Sequence, residues 1–95
     1  MARLELGGFQ HVPFDSLNVV ETPSGTYGAE ADAAYFYVVA HIGDSEAVQQ
    51  EMIDRPDGYV GLDFDRQGRL LGVEVIGARA QLRAETLNAL RRIDV

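Results

Sequence analysis

The fold is decided by one stretch, Tyr59–Ile76, which reads YVGLDFDRQGRLLGVEVI. Val60, Leu62 and Phe64 alternate before the polar tetrad Asp65-Arg66-Gln67-Gly68, and Leu71, Val73 and Val75 alternate after it. A period of two is that of an extended chain with one apolar face, so the stretch reads as a β-hairpin. Face coherence sets its register. A three-residue loop would put Leu71 and Val73 on the opposite face from Leu62 and Phe64, whereas a four-residue loop pairs Leu62 with Leu71 and Val60 with Val73. The four-residue loop is therefore expected, with Gly68 at positive φ. On the other face, Gly61 then lies opposite Gly72, Tyr59 opposite Glu74 and Asp63 opposite Leu70. Facing glycines leave bare backbone, and an aromatic ring from a neighbouring element or a second subunit is expected to cover it.

The same residues also spell D-x-D-x-Q-G-x5-E from Asp63 to Glu74, one residue away from a calcium-binding loop. Such a loop needs a helix on each side. Here Pro56 and Asp57-Gly58 break any incoming helix and both flanks alternate with period two, so the acidic residues are read as turn and solvent face.

Outward from the hairpin, Arg55-Pro56-Asp57-Gly58 reads as a type I turn, with proline setting φ at its second position. The preceding Gln49–Met52 fits either an edge strand with a polar outer face or, capped by Asp44 or Ser45, a short helix; the strand is favoured. Further upstream, β-branched and aromatic residues crowd Tyr35–Ile42, and both faces of that segment are apolar, which predicts a central strand. Residues 1–26 are broken by GG, VP and TPSG and are read as an N-terminal extension with one or two short strands, part of the same domain. Residues 27–95 are expected to form a single β-rich domain. At the C-terminal end LRAETLNALRRI takes up helical spacing, with Ala84, Leu87 and Leu90 on one stripe, Glu85 in the first turn and Arg91 and Arg92 in the last. The fold class expected is α+β and mostly β: an antiparallel meander sheet of four to six strands with one short C-terminal helix.

Composition narrows the function classes. At 95 residues, 46% hydrophobic and 24% charged, the chain suits one domain with one modest core. It has no cysteine, which removes disulfides and thiolate chemistry, and every one of its eight basic residues is arginine, which removes Schiff-base chemistry. A formal charge of −7 would repel a phosphate backbone, so nucleic acid is not an expected partner. No apolar run reaches the length of a signal peptide or a membrane span, and a cytoplasmic location without membrane contact is the expectation. The charge is uneven: residues 1–78 hold 13 acids and 4 arginines, whereas residues 79–95 hold 4 arginines and 2 acids. A basic tail on an acidic body is expected to touch that body or to bridge to a partner.

Chemistry-bearing residues are sparse. His41 near Asp44 and Glu46 could form an acid–base or metal set, but two histidines without fixed spacing are a weak metal signal, and His11 sits in an irregular stretch. Ser16, Ser24 and Ser45 lack a strand–turn–helix elbow, and the glycines never form a phosphate-cradling loop. The acid pairs Glu30/Asp32 and Asp63/Glu74 read as solvated faces. No catalytic, cofactor-binding or metal-binding residue is assigned, and no cofactor is expected. The aromatic residues of the predicted strands are the strongest functional signal, because tyrosine suits half-wet interfaces. The candidate interaction surface is Tyr35, Tyr37 and Tyr59 with Gly61 and Gly72.

Two pieces of the chain resemble a known family. They are Tyr27-Gly-Ala-Glu30-Ala31-Asp32-Ala33-Ala-Tyr35 and, after an acidic spacer, Gly58-Tyr-Val-Gly-Leu62-Asp63-Phe64-Asp65-Arg-Gln-Gly68-Arg69-Leu70-Leu-Gly72-Val-Glu74-Val-Ile76-Gly-Ala78. Together they resemble the small bacterial domain-of-unknown-function family 2283, whose pattern is Y-D-P-E-A-D-A-L-Y followed by D-G-V-I-L-D-Y-D-x-x-G-R-L-V-G-I-E-I-L-x-A-S. The likeness spans roughly residues 27–84, and G-R-L-x-G-x-E is its most specific part. Gly28-Ala29 stands where the family has Asp-Pro, Ala34 where it has leucine, and residues 1–26 precede its usual beginning. The resemblance implies a compact β-meander with a C-terminal helix; it implies no activity and no catalytic residue.

The functional expectation is a non-catalytic protein-interaction or self-assembly module, a homo-oligomer or the partner of another protein, using the tyrosine-rich face or an exposed strand edge. The alternatives are a small metal- or ligand-dependent enzyme working above Gly61 and Gly72, or an antitoxin-like partner of a small toxin.

Overall fold

A computed structural model describes residues 24–94. They form one mixed six-stranded sheet: β1 (Gly25–Gly28), β2 (Ala33–Tyr37), β3 (Gln49–Arg55), β4 (Gly58–Phe64), β5 (Leu70–Ile76) and β6 (Arg91–Arg92), in spatial order β3-β4-β5-β2-β1-β6. Two short helices, α1 (Ala78–Gln81) and α2 (Ala84–Ala89), lie between β5 and β6. The pairings are antiparallel except that of β6 with β1, which is parallel. The structure is mostly β, as expected, but it is not a plain meander, because β5 inserts between β4 and β2. The part of the N-terminal extension before residue 24 lies outside the described residues; its last residues start β1.

The β4–β5 hairpin is present, and Gly68 takes φ 81. Its register corrects the expectation. Leu62 pairs with Val73, Val60 with Val75, Gly61 with Glu74 and Asp63 with Gly72, while Phe64 pairs with Leu70. The loop is the shorter one, Arg66-Gln67-Gly68, closed by the Asp65 N–H donating to Arg69 O at 2.9 Å and by the Gly68 N–H donating to Asp65 O at 2.9 Å. A loop with an odd number of residues would reverse the faces. The register shift between Asp63 and Phe64 restores them by leaving Leu71 without a partner, a β-bulge. The side chain of Asp65 favours the tight loop, since it accepts the N–H groups of Gln67 and Arg69, both at 2.9 Å.

Gln49–Arg55 is a strand and an edge, as favoured, joined to β4 by the two-residue loop Pro56-Asp57, neither of which takes positive φ, in keeping with a type I turn. β2 is central, between β5 and β1, but it covers Ala33–Tyr37 rather than Tyr35–Ile42. Its partners run out: Tyr37 faces Gly72, next to the bulged Leu71, and β1 begins at Gly25, opposite Phe36. Val38 still donates its N–H to Leu71 O at 2.9 Å, and past it the apolar run pairs with no described strand.

The single C-terminal helix is two pieces. Leu82 and Arg83 are extended, with ψ near 150 in each, and so is Leu90. A helix of four or six residues does not persist on propensity, so tertiary contacts set its ends. Leu90 is buried, Leu82 and Leu87 pack on the core, Ala84 is exposed, and Arg91–Arg92 become strand β6 instead of a last helical turn. Arg92 places its guanidinium 5.7 Å from the centre of the Tyr27 ring, and the Ile93 N–H donates to Tyr27 O at 3.2 Å. The expected contact between basic tail and acidic body is seen at Arg79, which donates to Ala29 O at 3.0 Å and lies 3.8 Å from Asp32.

Cross-strand pairing puts Tyr27, Ala34, Val75, Val60 and Ile53 in one row over five strands. The buried cluster of Tyr27, Ala34, Val75, Ala78 and Leu90 sits on this row, packed by Leu82 and Leu87. One face of the sheet therefore meets the helices, and period two sends the alternate residues to the other face.

Candidate interaction face

The register places all five sequence-predicted residues on the face away from the helices. Tyr35 lies opposite Glu74, Tyr37 opposite Gly72, Gly72 opposite Asp63, Gly61 opposite Glu74 and Met52, and Tyr59 opposite Ile76 and Asp54. The glycines are diagonal neighbours rather than a facing pair, because the shorter loop and the bulge each move β5 by one residue against the expected register. The cover expected over them is present nonetheless. A Cβ on Gly72 would fall on the Tyr35 hydroxyl, with ring carbons Cε2 and Cζ 2.6 Å away, and one on Gly61 would lie 2.9 Å from Gln50 Nε2. Tyr35 is the expected aromatic ring and comes from the neighbouring β2. The amide of Gln50 on β3 covers the other glycine.

These side chains join into one hydrogen-bonded chain across four strands. The Tyr35 hydroxyl donates to Asp63 Oδ2 at 2.7 Å, and Gln50 Nε2 donates to Asp63 Oδ1 at 2.7 Å and approaches Glu74 Oε1 at 3.5 Å. The Tyr59 hydroxyl donates to the same Glu74 oxygen at 3.4 Å. The Tyr35 and Tyr37 rings meet edge to face, 5.0 Å apart at 66°. Burial, and then the hydrogen bond to the Asp63 carboxylate, push the Tyr35 phenol above its ordinary range; burial and the charge of Glu74 do the same at Tyr59. Both phenols are thus neutral donors to carboxylates at ordinary pH. Tyr37 is the more open of the tyrosines, at 37% exposure.

The arrangement ties four strands of the sheet together through side chains. Each carboxylate already accepts a neutral donor, and among the described residues no group of three His, Cys, Asp or Glu gathers to hold a metal ion. Asp65, the second acid of the calcium-like motif, spends its oxygens on the backbone of its own turn and on Arg69 Nε at 3.2 Å. His41 is exposed on the β2–β3 connection, where Glu46 accepts the Gly43 N–H at 2.7 Å. Ser45 lies on the same connection at φ 64, and Ser24 leads into β1; His11 and Ser16 lie outside the described residues.

Sequence reasoning misses Gln50, which it takes only as one residue of an edge strand, and Asp32. Asp32 sits at φ 54 in the β1–β2 turn and accepts the Tyr27 hydroxyl and the Arg79 N–H, both at 2.9 Å. Its carbonyl accepts the N–H groups of Gly77 and Ala78 at 3.0 Å. Asp32 thereby supplies from across the sheet the cap that Gly77, at the start of α1, has no side chain to give.

Residues 26–79 match the family described as a protein of unknown function (DUF2283). The chain belongs to this family. No curated protein and no solved structure matches it. The DUF2283 segment ends at Arg79 instead of continuing to about residue 84, and so leaves out α2 and β6. It holds every residue of the tyrosine face and both sides of the Asp32–Arg79 contact. No helix among the described residues is long and apolar enough to cross a membrane.

Proposed function

We propose that the protein is a non-catalytic interaction module that binds by adding backbone to the outer side of β3, which pairs with no other described strand. The observation that carries this reading is the contrast between the two outermost strands. β6 is two residues long and consists of charged side chains, a length and composition that discourage pairing. β3 has seven residues, every one of them exposed, with Met52 at 50% and Ile53 at 48% exposure on opposite faces. Such an edge presents alternate N–H and C=O groups outward, a template for strand addition.

On this reading the surface of Tyr35, Tyr37, Tyr59, Gly61 and Gly72 serves the edge. β3 has no buried residue of its own, so it is held by its ladder with β4 and by Gln50, which is tied to Asp63. The two glycines let Tyr35 and Gln50 lie flat, and Tyr37 stays open at the rim.

Backbone amide spectra of the full chain test the reading, recorded over a concentration series and with extended peptides selected from a random display library. Shifts and slowed exchange confined to Gln49–Arg55 in either series are expected. Amides of β3 that respond to neither would overturn it.

A further inference from the structure

We propose that the occupant of the β3 edge is a second copy of this chain, paired antiparallel about a two-fold axis through Ile53. The inference rests on the strand-addition reading and names its partner.

A two-fold axis perpendicular to a continuous sheet keeps equivalent faces together, so only residues of one face can lie opposite each other across the new pair. That leaves few registers for Gln49–Arg55. Centring on Glu51 or on Asp54 sets two like charges directly opposite, which destabilises a strand pair. Centring on Met52 sets each Glu51 against the apolar Ile53 of the other copy. Centring on Ile53 sets Ile53 against Ile53 and Met52 against Asp54, with Glu51 against Arg55 on one side and, by symmetry, Arg55 against Glu51 on the other, two opposite-charge pairs that the Met52-centred register lacks. Pro56 follows at once and has no N–H to give, which ends the pairing.

Two further observations favour this register. The row Tyr27, Ala34, Val75, Val60, Ile53 is the core row of the sheet, and Ile53 is its open end, 48% exposed. Ile53-to-Ile53 contact continues that row into the second copy and covers both ends at once. Among the described residues no ion pair engages Glu51 or Arg55, so both charges are free to pair across the axis.

Sedimentation equilibrium with charge-swapped full chains tests the register. Wild-type chain is expected to dimerise. Glu51→Arg turns both cross-pairs into Arg–Arg and Arg55→Glu turns both into Glu–Glu, so each variant alone should lose on the order of ten- to hundredfold in dimer affinity. An equimolar mixture of the two should recover it, because every Glu then faces an Arg, and so should the double variant. Circular dichroism of each variant checks that these exposed substitutions leave the fold intact. A dimer that neither substitution weakens, or a mixture that does not recover, overturns the Ile53-centred pair. So does a monomer at every concentration whose β3 amides are already protected, since the edge is then covered by the same chain. A monomer whose β3 amides respond only to extended peptides sinks self-pairing and leaves the interaction reading standing; one that responds to nothing sinks both.

Discussion

Replacing Gly72 with alanine tests whether the tyrosine face is built around the missing side chain. The added methyl group would fall on the Tyr35 hydroxyl and 2.6 Å from two ring carbons, so the ring must swing away. The backbone stays, because the obstructing atoms are the far end of a rotatable side chain. The displaced hydroxyl loses its 2.7 Å bond to Asp63, a hydrogen bond to a charged acceptor of the kind that contributes about 1.5–3 kcal/mol. Against this stands the ordinary gain of alanine over glycine in a strand, about 0.5–1 kcal/mol. Gly72→Ala should therefore destabilise by about 1–2 kcal/mol, measured as a lower midpoint in urea with unchanged slope.

The decisive comparison is the same substitution in a Tyr35→Ala background. With the ring gone nothing blocks the methyl group, and Gly72→Ala should now stabilise by about 0.5–1 kcal/mol. The sign of the effect reverses between the two backgrounds. If Gly72→Ala costs as much without Tyr35 as with it, the glycine is required for some reason other than the ring, and the account of this face fails.

Asp32 offers a second test. Asp32→Ala strips the cap from α1, orphans the Tyr27 hydroxyl and leaves alanine at φ 54, which together should cost about 2–4 kcal/mol, whereas Asp32→Asn keeps an acceptor and tolerates that backbone and should cost less than half as much; equal losses in urea denaturation would contradict a positional role. The third concerns alkaline pH. Tyr27, Tyr35 and Tyr59 all have phenols raised above their usual value of 10.0, first by burial, so the folded state keeps protons that the unfolded state has lost. Their contribution is full below pH 10 and is lost as pH climbs beyond it, so stability should fall above pH 10, and Tyr35→Phe should make that fall shallower. Phenolate absorbance followed alongside circular dichroism would show it; a Tyr35→Phe slope as steep as the wild type would remove Tyr35 from the account.

The parts of this fold that were legible are those governed by side-chain period. Alternation at Val60–Phe64 and Leu71–Val75 gave the hairpin, and the parity of the same alternation gathered Tyr35, Tyr37, Tyr59, Gly61 and Gly72 on one face. Parity survives a shift by two residues, which is why the face is right although the register is not. The register depended on Leu71, a leucine among leucines, and nothing in its composition marks it as the residue left out of the ladder. The end of β2 was equally silent, since Val38, Val39 and Ile42 would extend a strand wherever a partner existed. Arg91 and Arg92 suited a helix end by charge, yet they pair with β1, because its backbone was still open on that side. Gln50 and Asp32 act through partners 13 and 47 residues away, at Asp63 and Arg79, and no local pattern encodes such distances.

On the strand-addition reading, the tyrosine face and the β3 edge are two parts of one device. A strand with no buried residue gains little from apolar burial, and its two half-exposed aliphatic side chains point to opposite sides of the sheet. What keeps it straight and in register is its ladder with β4, reinforced by the bond from Gln50 to Asp63 on that same strand. Asp63 is fixed in turn by Tyr35, whose ring is seated on Gly72 and braced edge-on by Tyr37. Position therefore passes from the central strand β2 to the outermost strand through side chains on a face that buries little. Loss of Tyr35 should loosen the amides of Gln49–Arg55, which it does not touch, before it loosens the hairpin core. On the strand-addition reading, an edge that no described strand covers and that is held this firmly lowers the entropic cost of adding the next strand.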